Sequence, residues 1–564
     1  MKKYLVLVAL VLAVFSSLTS ALAQGPGEEV GSSVDEGSAT QATDTPADNQ
    51  AAPDEQSNGT VDEGSQNVDT TVAPVAAPDE QIGGTVDELL DDVGSLGGLE
   101  EADAIQAAEL TGTSAAEGPW SSTIYVSNPN NAAATADIVF YDGAGTQAGT
   151  SNKTLNAFGS AVIDVASVGN NFKGSAIVSS DQTLAVQVGL SVSSSVDRML
   201  YTGFSQGNNK VSSPALLCNI FGQNSDLVVM NVGSASANVT VSYAATYKDA
   251  NDTSKGTYTP ATKQTTHTIP ANSSKYLSAC TELGITKDWS GSVTVTGGAS
   301  DKLVGVIFQP FTDGPKAVSY ETVVGEGSST VYFPQAMNRS FPTEQTTYYA
   351  IQNVGSTETT VNLEIFKSDG TSFAKKDYVL APGGKVSTGP EALDVPLRAN
   401  FSGSAVAKAS SGGKIAAVTQ LKAFKAGTSC PTNGGLANQY LNAGDGATDS
   451  SYKLAVPWIE YKTGSTDWEA FIAVQNIGSA VSGKITVSYY APDGTKAGSA
   501  SVDSLVSGGK KSFNSKDDKI TGGESFLGSM VIESENTTDK LVATSSNKQA
   551  NECNGSGAPA IVIK

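Results

Sequence analysis

From residue 120 onward a single pattern returns four times, and it restricts the fold more than any other feature of the chain. Each copy opens with a short alternating run that ends in an asparagine: Ile124, Val126, Asn128; Leu227, Val229, Asn231; Tyr349, Ile351, Asn353; and Ile472, Val474, Asn476. Gly-Ser follows two residues on in the last three copies, at Gly233-Ser234, Gly355-Ser356 and Gly478-Ser479, whereas the first has Pro129 and Asn130. All four read as turns. A second alternating run follows, at Ala136, Ile138, Phe140; Val239, Val241, Tyr243; Val361, Leu363, Ile365; and Ile485, Val487, Tyr489. Period two with polar residues between means a strand with one buried face. Three copies then carry Asp-Gly, at Asp142-Gly143, Asp369-Gly370 and Asp493-Gly494, where glycine supplies positive φ in a hairpin. The second copy has a longer loop over residues 247–258.

The sharpest mark comes later in each copy, as an aromatic, one residue, then Gly-Ser, starting at Phe172, Trp289, Phe401 and Phe526. Further apolar runs begin at Leu184, Leu303, Ile415 and Leu541. The asparagines are 103, 122 and 123 residues apart, close to the ~100 residues of a seven-stranded sandwich. The expected fold is therefore all-β: four tandem Ig-like antiparallel β-sandwich domains over residues 119–210, 211–328, 329–450 and 451–564. Short strands without a helical period exclude an α/β enzyme core. Each unit should bury its own core, the four forming a rod or a bent chain. The repeated asparagine reads as a turn or edge cap.

The strand, Asn-x-Gly-Ser turn, strand and Asp-Gly hairpin resemble bacterial Ig-like domains, in particular the cell-adhesion-related domain found in tandem on bacterial and archaeal surface proteins. The resemblance covers about the first half of each unit. It implies an extracellular binding or structural role and brings no catalytic residue with it.

Upstream, Lys2 and Lys3, the apolar residues 5–15 and Ala21-Leu22-Ala23 form a secretory signal peptide over residues 1–23, so that the processed chain begins at Gln24. The apolar run is too short to span a bilayer. Residues 24–118 hold 22 of the 57 acidic residues and no Lys, Arg or aromatic ring, a composition that cannot bury enough surface to order itself. A disordered acidic segment is expected there. It contains a duplication, Ala51-Ala52-Pro53-Asp54-Glu55-Gln56 returning 25 residues later at Ala76. The net charge of -23 repels phosphate backbones, so nucleic acid is not an expected partner. No transmembrane segment is expected in the processed chain.

Four cysteines in a secreted chain suggest disulfides, and three connectivities are open to them. Cys218 pairs with Cys280, both in the second unit, which leaves Cys430 for Cys553. No cofactor is indicated. Asp249, Asn251 and Asp252 put oxygen ligands at near-alternate spacing, a weak calcium candidate without the downstream bidentate glutamate. A Ser-His-Asp hydrolase would depend on His267, the single histidine, which has no nucleophile motif near it. Exposed rings for glycan binding could come from Tyr348, Tyr349, Tyr489, Tyr490 and Trp468, with alternation turning one of each tyrosine pair outward.

A last element recurs between the units: Pro214 with Leu216 and Leu217, Pro334 with Met337, Pro457 with Trp458 and Ile459, and at the C-terminus Pro559 with Ile561 and Val562. Its phase is open. If each strand opens the unit after it, the first unit lacks one and Pro559, Ile561 and Val562 form a candidate donor strand for a neighbouring molecule. If each closes the unit before it, the chain completes itself. The sequence points to a secreted or cell-surface, non-catalytic structural or adhesive protein, with head-to-tail polymerisation by strand donation as an option. Its expected partners are other copies of itself or extracellular surface polymers. A secreted glycan-binding protein is the alternative, and a secreted hydrolase is further off.

Overall fold

The computed structural model describes residues 4–10 and, with interruptions of which 246–261, 424–439 and 443–449 are the longest, residues 120–563. The first sandwich consists of β1 (Tyr4–Leu10), β2 (Trp120–Ser127), β3 (Ala134–Asp142), β4 (Gln147–Leu155), β5 (Ser160–Asp164), β6 (Gly174–Ser180), β7 (Ala185–Val192) and β8 (Arg198–Thr202). The second has β9 (Lys210–Cys218), β10 (Asp226–Asn231), β11 (Ala237–Ala245), β12 (Thr262–Ile269), β13 (Ser274–Ser278), a short helix α1 (Ala279–Leu283), β14 (Trp289–Thr296), β15 (Leu303–Pro310), β16 (Ala317–Glu321) and β17 (Val323–Val324). The third has β18 (Thr330–Asn338), β19 (Gln345–Asn353), β20 (Thr359–Lys367), β21 (Ser372–Leu380), β22 (Lys385–Thr388), β23 (Phe401–Ala409), β24 (Ile415–Ala423) and β25 (Tyr440–Asn442). The fourth has β26 (Lys453–Tyr461), β27 (Trp468–Asn476), β28 (Ile485–Tyr490), β29 (Lys496–Val502), β30 (Lys510–Asn514), β31 (Phe526–Ser534), β32 (Leu541–Gln549), β33 (Gly555–Pro559) and β34 (Ile561–Val562).

One topology serves all four. The fourth, third, sixth and first strands make one sheet and the fifth, second, seventh and eighth the other, and in the fourth sandwich the two are joined at Tyr461 and Glu469 of β26 and β27 into one nine-stranded sheet. Every described pairing is antiparallel, and the alternation read from the sequence is visible in β3 and β20, where every second residue is buried. Four apolar cores result, one per sandwich, and the first runs on into Val228, Met230, Val304, Val306 and Phe308 of the second.

The phase of the proline strand is fixed by its pairing. Strands β9, β18 and β26 pair with β14, β23 and β31 of the units they open, and each ladder breaks at a bulge that contains Pro214, Pro334 or Pro457. A bulge suits proline because no ladder hydrogen bond is demanded of its missing N–H. In the first sandwich the equivalent place is held by β1, drawn from the apolar N-terminus. The C-terminal strands stay in their own unit, β33 on β32 and β34 on β26, as β17 does on β9.

The expectation of a rod or bent chain is overturned: the sandwiches close into a ring. The first strand of each lies against the seventh strand of the next, β1 on β15, β9 on β24 and β18 on β32, and β26 of the fourth returns to β7 of the first. The eighth strands adjoin in the same cycle, β8 with β16, β16 with β25, β25 with β33 and β33 with β8. A head-to-tail contact repeated by a rotation that closes makes a ring instead of a filament.

Candidate functional site: the junctions of the ring

The repeated asparagines do one job four times. Each side-chain amide donates to the carbonyl four residues on, those of Ala132, Ala235, Thr357 and Ala480, at 2.7–2.8 Å. Each also donates to a carbonyl at or within three residues past the end of the unit's fourth strand, at Asn156, Ile269, Leu380 and Leu505. The Oδ1 atoms accept from the backbone N–H two residues on, at Asn130, Gly233, Gly355 and Gly478. All four are buried, so these bonds replace water that a buried amide would otherwise lose.

The aromatic-x-Gly-Ser mark has two purposes. A Cβ on Gly174, Gly291, Gly403 or Gly528 would collide with the carbonyl oxygen of Tyr141, Ala244, Phe366 or Tyr490 across the ladder, and the ring two residues earlier folds over the bare glycine. The serine then reaches the next unit. Ser175 Oγ donates to the Asn272 carbonyl at 3.4 Å, Ser292 to Gly383 at 2.6 Å and Ser404 to Gly508 at 3.0 Å. The acceptors are equivalent residues, in the turn before the fifth strand, and their φ angles are 57°, 75° and 76°. In the second and third junctions a buried lysine adds to this: Lys385 Nζ donates to Ser290 Oγ at 2.8 Å, and Lys510 Nζ to Ser402 Oγ at 2.9 Å. Burial pushes the Lys510 ammonium down to about 8.

The hairpins after the third strand complete the contacts. Gly145 approaches Ala271 of the second unit, Gly370 approaches Ser507 of the fourth, and Gly494 of the fourth approaches Ala157 of the first. In the third and fourth units the glycine of Asp-Gly has positive φ as expected, 80° at Gly370 and 90° at Gly494. In the first unit the residue at positive φ is Gly145, at 85°, and not Gly143, because the turn there is closed by Asp142 accepting from Ala144 and Thr146.

The junction between the fourth and first sandwiches is built differently. Backbone and side-chain bonds recur, Ser160 N–H to the Pro492 carbonyl at 2.9 Å and Asn156 Nδ2 to the Asp493 carbonyl at 3.0 Å. Two aromatic stacks are added, Tyr125 on Trp458 with ring centroids 4.4 Å apart and Phe158 on Tyr490 at 4.6 Å. Trp458 is buried with Leu200 and Ala558, and Ile563 with Ala185 and Ala455.

Of the residues singled out in the sequence, Cys218 and Cys280 form a disulfide between the end of β9 and α1. Cys430, Cys553, Asp249, Asn251 and Asp252 lie outside the described residues. Pro559 is the last residue of β33, and its carbonyl accepts from Gln187 Nε2 and Thr202 Oγ1 of the first sandwich; Ile561 and Val562 form β34. His267 Nε2 lies 3.0 Å from the Glu282 carboxylate and 3.1 Å from Thr265 Oγ1, in a shallow depression between β11 and β12. Tyr349, Tyr489 and Trp468 are core residues, and burial with Asp518 alongside pushes the Tyr489 phenol up. Tyr348 and Tyr490 are half-buried, and the Tyr490 ring is spent on the closing junction. Among the described residues no group of three metal-ligating side chains occurs, and no helix is long and apolar enough to cross a membrane. Tyr125 and Phe158 gave no repeat signal, since each stands in one copy alone, and Trp458 was singled out as part of the proline strand and not as a junction residue.

No protein-family model matches the chain, and no curated protein matches it.

Proposed function

We propose that this is a secreted or cell-surface, non-catalytic structural or adhesive protein whose working part is the ring of four sandwiches. The observation that carries the reading is where the repeated residues are spent. The asparagine fixes a turn, the glycine a close strand approach, and the serine and lysine a junction, so what is reiterated along the chain is architecture. A chain repeating one module to build a surface would reiterate residues of this kind. The disulfide Cys218–Cys280 is in keeping with an oxidising compartment. The acidic leader keeps such a body soluble and holds it off other anionic surfaces.

Ring closure favours a discrete particle over a head-to-tail polymer, because the strands that a polymer would exchange are engaged within the chain. Cell fractionation with N-terminal sequencing should find the protein outside the cytoplasm and starting at Gln24. Electron microscopy of that protein should show single compact particles, and binding to whole cells or to isolated surface polymer should persist when His267 or Glu282 is replaced. A cytoplasmic protein retaining Met1 would refute the location. Turnover of a substrate that His267→Ala abolishes would refute the non-catalytic reading.

A further inference from the structure

The junction between the third and fourth sandwiches buries polar side chains for which the protein supplies no partner. Its face on the fourth sandwich is made by residues of β27 and β32 that alternate with the core residues Ile472, Val474, Leu541 and Ala543, and β18 of the third sandwich lies against both strands. Gln475 stands on this face directly opposite Lys510 of β30, and Thr544 directly opposite Ala473. Gln475, Thr544 and Lys510 are buried, as is Gln335 beside the proline of β18. Both ends of the Gln475 carboxamide, the Thr544 hydroxyl and Gln335 Oε1 find no hydrogen-bond partner among the described residues.

The junction between the second and third sandwiches shows what differs. There Gln352 and Lys385 form the same opposed pair, and Gln352 Nε2 donates to Thr294 Oγ1 across the junction at 3.1 Å. Three residues past the glycine of the aromatic-x-Gly-Ser mark, Thr294 is replaced by Val406 in the third sandwich, so Gln475 lacks that acceptor. Conversely, Thr544 stands where the third sandwich has Val418, which packs on the second core. A buried polar group without a partner costs about 1–3 kcal/mol, and several in one place call for a ligand.

Charge decides which ligand. Lys510 is a buried cation that donates to Ser402 Oγ and, among the described residues, ion-pairs with no carboxylate. Lys548 brings a second ammonium to the same junction, bonded to Gln345 Oε1 of β19 and 4.9 Å from the centre of the Phe471 ring. Burial disfavours the charge on both, and on Lys548 the nearby Lys510 ammonium disfavours it further. Water could bond Gln475 and Thr544 but would leave the cations uncompensated, whereas an anion meets both needs.

We propose that a small monovalent anion of the halide class binds between the third and fourth sandwiches, held by the Lys510 ammonium, the Gln475 amide N–H and the Thr544 hydroxyl. One ammonium with two neutral donors balances a single negative charge, and a multivalent oxyanion would be undercompensated. The Gln335 carboxamide can present its N–H end to the same ion. This site is independent of where the protein resides, and it makes one junction of the ring responsive to the salt around it.

Urea denaturation of the full chain at pH 7 in sodium chloride, sodium bromide or sodium gluconate, at one ionic strength, tests the site. The unfolding equilibrium constant should fall about tenfold in either halide relative to gluconate and level off as the halide rises. Lys510→Met and Gln475→Leu should each lose that dependence, while Lys511→Met, at an exposed lysine of the same strand, keeps it. Crystals of the parent grown in bromide should show anomalous density in contact with Lys510 Nζ and Gln475 Nε2. Stability indifferent to halide, a halide effect that survives Lys510→Met, or a site that holds water and no bromide would each overturn the proposal.

Discussion

The second and fourth junctions of the ring solve one problem by different means. Between the second and third sandwiches, Val418 and Ala350 of the third pack on the second core, and hydrogen bonds set the rest, Ser292 to the Gly383 carbonyl and Lys385 to Ser290. Between the fourth and first, two aromatic stacks and buried Trp458 are added. The chain itself explains the difference. Consecutive sandwiches are tied by a few residues, five separating β17 from β18, so their junction needs to set an angle and little more. The closing junction joins sandwiches that are not consecutive in the chain and must offset the entropy of closing a loop of several hundred residues. Apolar contact is not confined to the closing junction, since the first core runs on into Val228, Met230, Val304, Val306 and Phe308 of the second sandwich; what the untethered junction adds is stacked aromatic rings.

The strongest way to break this contrast is Trp458→Ala. Truncating a buried tryptophan costs about 3–5 kcal/mol, and here the loss falls on closure, since Trp458 clusters with Leu200, Ala558 and Tyr125 and not with the fourth core. Small-angle scattering should show the radius of gyration rising as the ring opens, with far-UV circular dichroism nearly unchanged. An unchanged radius would mean that the tethered junctions hold the ring by themselves.

A smaller effect is expected at Lys510, between the third and fourth sandwiches. Burial lowers its folded-state value from 10.5 to about 8, so the unfolded chain binds more protons between those limits. Stability should therefore rise with pH from about 8 to 10.5 and be flat with respect to this group below 8. At neutral pH the charged form is penalised by roughly 3 kcal/mol, and the bond to Ser402 returns about 1. Lys510→Met should stabilise the protein by about 2 kcal/mol at pH 7 and flatten the alkaline slope, as measured by urea denaturation at several pH values. A variant less stable than the parent at pH 7 would show the lysine to be a stabilising contact.

Ser292→Ala sharpens the comparison from the tethered side. Losing one neutral hydrogen bond should cost about 1 kcal/mol, visible in thermal denaturation, with the ring still closed in solution scattering. If this variant opened the ring, the distinction between tethered and closing junctions would fail.

Much of this fold is legible in the sequence, because its strands alternate and its turns carry Asn, Gly and Ser at fixed offsets. Asn353 and Gly403 could be singled out by recurrence, and their burial and bonding explain why they recur. Ring closure could not be read. Three of its residues, Tyr125, Phe158 and Ile563, are positions that a search for what repeats passes over, and Trp458, though named within the proline strand, carries a ring that the other copies lack there. The phase of the proline strand was open in the sequence, and pairing decided it in favour of the unit that each strand opens. Gly143 misled because Asp-Gly is a local signal, while the positive φ fell two residues later, where the hairpin meets Ala271.

The smallest net effect, and the most informative, is expected at Phe158. Its φ of 59° lies in the left-handed region, where the equivalent residues of the other units are Asn272, Gly383 and Gly508. Asparagine and glycine accept that conformation readily, and a bulky aromatic does so at a cost of order 1–3 kcal/mol. The strain persists because the ring lies on Tyr490 of the fourth sandwich, a stack worth about 0.5–1.5 kcal/mol beyond its burial. Phe158→Gly should therefore relieve the turn and weaken the closing junction together. Global stability in urea should shift by less than about 1 kcal/mol, while hydrogen exchange in β5 and in the β28–β29 hairpin speeds up. Tyr490→Ala should weaken the junction without relieving the turn, so it should be the less stable of the two variants. Equal loss in both would show that Phe158 carries no strain, and that the difference from the other three turns has nothing to do with closure.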